Sequence, residues 1–261
     1  MAQKTLLITG AGSGIGRDSA KQLVANGHKV IATTHREESV AELQEYLGST
    51  AQVFKLDVTN ADDRAKIADL DLDVLVNNAA QGDTGSLADV DIDRLRELFE
   101  VNLFSSLALS QIAIKKMANR GGGTVVFVSS ITGRIPAPFF MPYAMTKFAV
   151  SAAAAGLRGE MKVLDKGIHV SVVEPGPYAT GFNQKMLNSG IGQMGEDSIF
   201  SAQQAVAIKK KAEKDLKMEA KTTRSIVAKI VKASEADKPK LRYVAPGLIA
   251  FVVRMARIFG V

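Results

Sequence analysis

No cysteine and no tryptophan occur in the 261 residues of this chain. The first absence excludes a disulfide framework, a thiolate nucleophile and a cysteine-ligated zinc site. Histidine is scarce as well: His28, His35 and His169 are scattered without metal-ligand spacing, so no metal centre is expected. Aromatic residues make up 6% of the chain and are not interleaved with a basic run, which gives nucleic-acid binding little support. No uninterrupted apolar segment reaches the ~20 residues that span a bilayer. The opening Met-Ala-Gln-Lys-Thr leads straight into an apolar run, with no room for a signal or transit segment. These absences predict a soluble, cytoplasmic protein.

What the chain does have is apolar content, 46%, enough for a substantial core. Strand-like runs alternate with segments of helical period, which predicts a parallel sheet with helices on both faces. Strands are expected at Thr5–Thr9, Lys29–Thr33, Gln52–Lys55, Val74–Asn77, Thr124–Ser129, His169–Glu174 and Arg242–Val244. Helices are expected near 15–26, 37–47, 61–69, 91–119, 142–165 and 223–235. No repeat or low-complexity linker divides the sequence. Residues 1–261 therefore read as one doubly wound α/β domain around a seven-stranded parallel sheet.

Two segments depart from that rhythm. Residues 178–223 contain no predicted strand but carry glycines, methionines and a helix from Ser201 onward. They follow the strand ending at Glu174, at the carboxyl edge where open α/β sheets bind ligands, and so read as a substrate lid. The tail, 247–261, reads as an amphipathic helix. It can pack on its own fold, on a partner subunit, at the substrate mouth or peripherally on a membrane surface. The net charge of +6 is concentrated late in the chain, at 209–221, where lysines and acids intermix. That pattern fits a solvated helix face with i, i+4 pairs better than an anionic partner.

Two motifs carry chemistry. Thr9 to Gly16 read T-G-A-G-S-G-I-G, between the apolar run Leu6-Leu7-Ile8 and a helix-period segment, which is the context a dinucleotide fingerprint requires. Gly10 allows the tight turn, Gly14 lets backbone N–H groups approach a pyrophosphate, and Gly16 lets the helix pack close to the strand. Ser13 and Ile15 complete the turn. Further on, Tyr143 and Lys147 stand four apart, about one helical turn, with Ser130 thirteen residues upstream of the tyrosine. A cation held near a tyrosine stabilises the phenolate and is expected to lower its pKa, so that the phenol exchanges protons with an alcohol or ketone oxygen.

With these motifs together, the chain resembles the short-chain dehydrogenase/reductase family from about residue 4 to residue 181. The matching positions are T-G-A-G-S-G-I-G, Asp57-Val58, Asn77-Asn78-Ala79-Ala80, Asn102, Ser129-Ser130, Tyr143 with Lys147, and Pro175-Gly176 followed by Thr180. Ala80 stands where the family usually has glycine. The resemblance implies a Rossmann fold and a catalytic tetrad of Asn102, Ser130, Tyr143 and Lys147. Tyr143 would be the general acid in reduction and base in oxidation. Lys147 would hold the nicotinamide ribose, Ser130 the substrate carbonyl, and Asn102 a water leading from the lysine to solvent. Side-chain alternation places only one of Ser129 and Ser130 on the cofactor face, and spacing favours Ser130.

The resemblance also distributes the cofactor contacts. Asp57 and Val58 would meet the adenine, Asn78 and Ala79 the adenosine ribose, and the stretch Pro175, Gly176, Tyr178, Thr180 would wrap the nicotinamide. The end of the second strand reads Thr34-His35-Arg36, without the acid that an NAD enzyme places there. Arg36, beside His35, could clamp a 2′-phosphate, and Arg17 could add charge, so NADP(H) is favoured over NAD(H). Phe182, Met186, Leu187, Ile191, Met194, Ile199 and Phe200 of the lid, with Pro136–Pro142, suit an apolar ketone or secondary alcohol such as a steroid, retinoid or bulky aryl ketone. A 3-oxoacyl thioester reductase is the alternative within the class; a non-catalytic nucleotide sensor is disfavoured by the complete tetrad. The helices at 91–119 and 142–165 would pair with their symmetry mates in a homodimer or homotetramer.

Overall fold

The computed structural model describes residues 2–191, 194 and 198–258. Tail positions 259–261 and lid positions 192, 193 and 195–197 lie outside the described residues.

Seven strands form one sheet in the order β3-β2-β1-β4-β5-β6-β7. They are β1 (Thr5–Ile8), β2 (Lys29–Thr34), β3 (Gln52–Lys55), β4 (Val74–Asn77), β5 (Gly123–Val128), β6 (Ile168–Pro175) and β7 (Arg242–Ala245), and every pairing is parallel. Central strands such as β4 are buried throughout, because parallel sheets are covered on both faces; this is why they read as continuous apolar runs. Alternation still sorts the side chains. In β1, Leu6 and Ile8 enter one core and Leu7 the other.

The first core is closed by α1 (Gly14–Ala25), α2 (Val40–Leu47) and α9 (Arg224–Glu235), through Leu23, Leu43, Leu47, Ile226 and Ile230. The second is closed by α5 (Ser105–Arg120) and α6 (Met141–Leu164), through Leu109, Ala113, Met117, Val150 and Ala154. Pro142 sits in the first turn of α6, where its missing N–H costs nothing. Gly121 ends α5 in the left-handed conformation, with φ at 93°. The strand order reverses between β1 and β4, so a crevice opens above their carboxyl ends.

The helix expected at 91–119 is interrupted. It divides into α4 (Ile92–Phe99), a π-helical turn over Glu100–Phe104, and α5. The segment at 61–69 likewise tightens from α3 (Ala61–Ala65) into a 3-10 turn at Lys66–Asp69. The lid holds α7 (Phe182–Ser189), which the sequence did not announce, and α8 (Ala202–Leu216), which starts where Ser201 and Gln204 form a reciprocal capping box. The tail forms α10 (Gly247–Ile258). Among the described residues no helix is long and apolar enough to cross a membrane.

Candidate active site

At the carboxyl edge of β1 the glycine turn closes on β4. Gly10 has φ at +64°, and a Cβ there would lie 2.6 Å from the Ala79 Cα. At Gly16 a Cβ would meet Asn78 Nδ2 at 2.3 Å and the Gly10 carbonyl at 2.7 Å, so α1 can approach this closely only through glycine. Thr9 is the fastener: its hydroxyl accepts from the backbone N–H of Asn78 at 3.1 Å and of Ala79 at 3.0 Å. The Asn78 amide in turn donates to the Thr9 and Gly10 carbonyls at 2.9 and 3.0 Å. The Asn78 side chain is thus committed to the turn, and what it leaves for an adenosine ribose is backbone.

A dinucleotide fits this edge. Ser13 at the N-cap of α1 makes no side-chain cap bond, and no acid occupies the first turn. The leading N–H groups of the helix therefore face outward with the positive end of its dipole, as an anion requires. Thr180 lies against this turn: its Cβ is 3.2 Å from a Cβ built on Gly14. Tyr178, in contrast, is 2% exposed and bonded through its hydroxyl to Ser225 at 2.8 Å. Its ring belongs to the first core, so only its backbone is available to wrap a nicotinamide.

On the β2 side, Thr34 is buried and its hydroxyl oxygen would lie 2.9 Å from a Cβ at Gly12. Arg36 is exposed and stands 3.8 Å from the Glu38 carboxylate. Arg17 is held elsewhere, with its guanidinium 4.9 Å from the ring centroid of Tyr46 on α2. Asp57 accepts from the backbone and hydroxyl of Thr59, at 2.9 and 2.7 Å, and next to it Val58 is buried.

The tetrad positions converge below β5 and α6. Ser129 and Ser130 diverge as alternation requires. The Ser129 hydroxyl donates to the Lys147 carbonyl and contacts Ser151, both at 2.9 Å, whereas the Ser130 hydroxyl accepts from the Thr132 hydroxyl at 3.0 Å and lies on the Tyr143 side, where it acts on the phenol. Lys147 is 2% exposed; its ammonium donates to the Val128 carbonyl at 3.0 Å and lies 5.5 Å from the centroid of the Tyr143 ring. Asn102 is 2% exposed, and its amide is fully engaged. It accepts from Gln81 N at 2.8 Å and donates to the Gln81 carbonyl and the Thr146 hydroxyl, both at 2.9 Å. A π-helical turn adds a residue and reorients the side chains next to it, which is what carries this amide across to residue 81.

The electrostatics reverse one expectation. Burial pushes the Tyr143 phenol above its ordinary value, with the Ser130 hydrogen bond as the opposing influence, and it pushes the Lys147 ammonium down to about 7. The four-residue spacing of Tyr143 and Lys147 predicts the opposite direction for the phenol. In the structure, burial is the largest influence on both groups.

Several participants were not legible in the pattern. Thr146 accepts from Asn102 and donates to the Tyr143 carbonyl at 2.7 Å, which ties the amide to the turn bearing the phenol. Phe182 of α7 lies over Tyr143, with ring centroids 5.6 Å apart. Two apolar residues of the 178–223 segment pack among themselves and their neighbours. Leu187 and Ile191 are buried with Ala212, against Phe139, Phe140, Met194, Ile208 and Leu216, in a small core of the lid's own rather than facing a ligand. Its rim is fixed by Arg94, which donates to both Asp83 carboxylate oxygens and, at 2.7 Å, to the Ser189 carbonyl. The tail packs inward as well: Ile249 stands 3.6 Å from a Cβ built on Gly176, while Phe251 and Val252 are exposed.

Comparison with known proteins agrees with this geometry. The family profile described as short chain dehydrogenase matches residues 4–191. Human retinol dehydrogenase 8 is 34% identical over 196 residues, covering 71% of this chain and 62% of that protein. An NADPH-dependent 3-dehydrocapnine reductase of Ornithobacterium rhinotracheale is 32% identical over 265 residues, covering 95% of this chain and 90% of that one. A short-chain dehydrogenase of Streptomyces avermitilis superimposes with a TM-score of 0.81 at 29% identity, over 99% of this chain and 93% of the other. The nucleotide-shaped glycine turn, the Ser130–Tyr143–Lys147 cluster and these likenesses have one explanation: the chain belongs to the short-chain dehydrogenase/reductase family of NAD(P)-dependent oxidoreductases.

Proposed function

We propose that this enzyme transfers a hydride between NADP(H) and the carbonyl or alcohol carbon of an apolar ketone or secondary alcohol. One observation carries the reading: a buried phenol, hydroxyl and ammonium stand together below the crevice, with the Phe182 ring over the phenol. The bound nicotinamide supplies the hydride. In reduction Tyr143, protonated at neutral pH, donates its proton to the carbonyl oxygen, and Ser130 orients that oxygen. In oxidation Tyr143 takes the proton back. Lys147 holds the nicotinamide ribose, and Asn102, its amide engaged by Gln81 and Thr146, stands beside the water path from the lysine to solvent. Residues 178–223 act as the lid. Loss of NADPH absorbance with a panel of steroids, retinoids, aryl ketones and acyl thioesters tests the reading. No turnover with any of them, under either cofactor, refutes it.

Phe182, which lies over the Tyr143 ring, favours an apolar substrate, and a relative named for retinol leans the same way. Preference for the phosphorylated cofactor rests on Arg36 and on the neutral Thr34. Arg36→Ala is expected to weaken NADPH by about 1–3 kcal/mol and leave NADH nearly unchanged, as fluorescence titration would read. Equal losses for both cofactors would remove the phosphate contact from Arg36.

Assembly as a twofold dimer, or a dimer of dimers, would cover the outer faces of α5 and α6, where Phe104, at the N-cap of α5, and Phe148, on α6, are exposed. Within the small-residue run of α6, Ala154 is fully buried in its own core, so substitution there would unfold the chain rather than probe a partner. Ala153 is half-buried and Gly156 exposed, with open space beyond a Cβ at Gly156. Ala153→Arg is expected to yield a folded monomer in sedimentation velocity. A wild-type monomer at micromolar concentration would exclude the interface.

A further inference from the structure

Glu174 is 0% exposed at the end of β6, immediately before Pro175. Its two carboxylate oxygens are divided between two arginines. Oε2 accepts from Arg134 Nη1 at 3.0 Å, and Oε1 accepts from Arg242 Nη1. The register places Arg242 opposite Val172, hence on the same sheet face as Glu174. Three segments meet here: the turn after β5, the carboxyl end of β6 and the edge strand β7. An ion triad this buried is weak evidence for stability, because desolvation offsets much of the attraction. Its position suggests a different use.

Ser130 opens the 3-10 turn Ile131–Gly133 and caps it, its hydroxyl accepting from Thr132 N at 3.2 Å and its carbonyl from Gly133 N at 3.0 Å. Arg134 closes the same turn, donating its backbone N–H to Ile131 at 3.0 Å. The near end of the turn thus bears the hydroxyl that acts on the Tyr143 phenol and lies 3.5 Å from the Pro175 carbonyl. The far end is fastened to the residue just before Pro175. A turn held at one end only can swing; held at both, it fixes Ser130 against Tyr143 and against the Pro175–Gly176 loop together.

We propose that Arg134 is a positioning residue: docked on Glu174, with Arg242 completing the carboxylate, it sets the Ser130 hydroxyl for reaction. The proposal rests on the role given to Ser130 above. The test is a double-mutant cycle of Arg134→Ala and Ser130→Ala, assayed in the wild-type background with NADPH and a turned-over ketone. Arg134→Ala is expected to lower kcat roughly 10- to 100-fold, the scale of a misplaced reacting group, with little change in the KM for NADPH. The double variant should lose little beyond Ser130→Ala, because both changes remove one function. Arg134→Lys, which keeps a cation beside Glu174, should recover part of kcat.

Additive losses in the cycle, or a lower Tm with unchanged kcat, would overturn the proposal. A wild type inactive on every substrate would refute the function rather than this inference. The crystal structure of Arg134→Ala then decides it without turnover: a Ser130 turn displaced from Pro175 supports the role, and an unmoved turn overturns it.

Discussion

Tyr143→Phe is expected to lower turnover by ~10²-fold or more while leaving cofactor affinity nearly unchanged, since positioned proton transfer is worth about that much. The variant keeps the ring that packs against Phe182 and Lys147 and removes only the hydroxyl, and with it the transferable proton. Because burial raises the phenol, the alcohol-oxidising direction, which needs the phenolate, should gain with rising pH. That gain should vanish in the Phe variant. Steady-state kinetics in both directions would show it, and near-wild-type turnover would defeat the assignment of Tyr143 as the proton carrier.

Lys147→Ala is expected to damage both turnover and cofactor binding, because one ammonium serves the tyrosine and the ribose together. Loss of turnover with intact binding would leave the ribose contact wrong. The same residue makes a stability prediction. Its folded value, about 7, lies below the ordinary 10.5, so the unfolded chain binds more protons between those two values. Stability from this group therefore rises with pH across that window and falls back as pH drops toward 7. Lys147→Met, which removes the buried charge, should gain on the wild type by a few kcal/mol near pH 6 and by much less near pH 10. Denaturant melts at the two pH values would measure the difference, and an equal gain at both would sink the argument.

The sheet was readable because parallel strands buried on both faces announce themselves as apolar runs; all seven fall within a residue or two of expectation. The glycine turn and the Tyr143–Lys147 spacing were readable because they are local. What the sequence could not announce was long-range. The π-helical turn around Asn102 looks like ordinary helix, since its periodicity shifts by a single residue. Thr146 stands beside Lys147 in the motif, yet its role depends on an amide 44 residues away. The direction of the Tyr143 shift depends on burial, which spacing does not encode. In the lid, an apolar composition was compatible with holding a ligand or holding itself together, and for Leu187 and Ile191 the second applies.

That last feature bears on how such a protein changes over generations. The lid coheres around Leu187, Ile191 and Ala212, borrowing from outside itself mainly Phe139 and Phe140. No strand residue belongs to that cluster, and sites without shared partners add nearly independently, so substitutions within it couple first to one another. Drift can therefore rewrite the cap while the nucleotide half stays under separate constraint. Arg94, Asp83 and Ser189 form the seam across which the two histories must stay compatible.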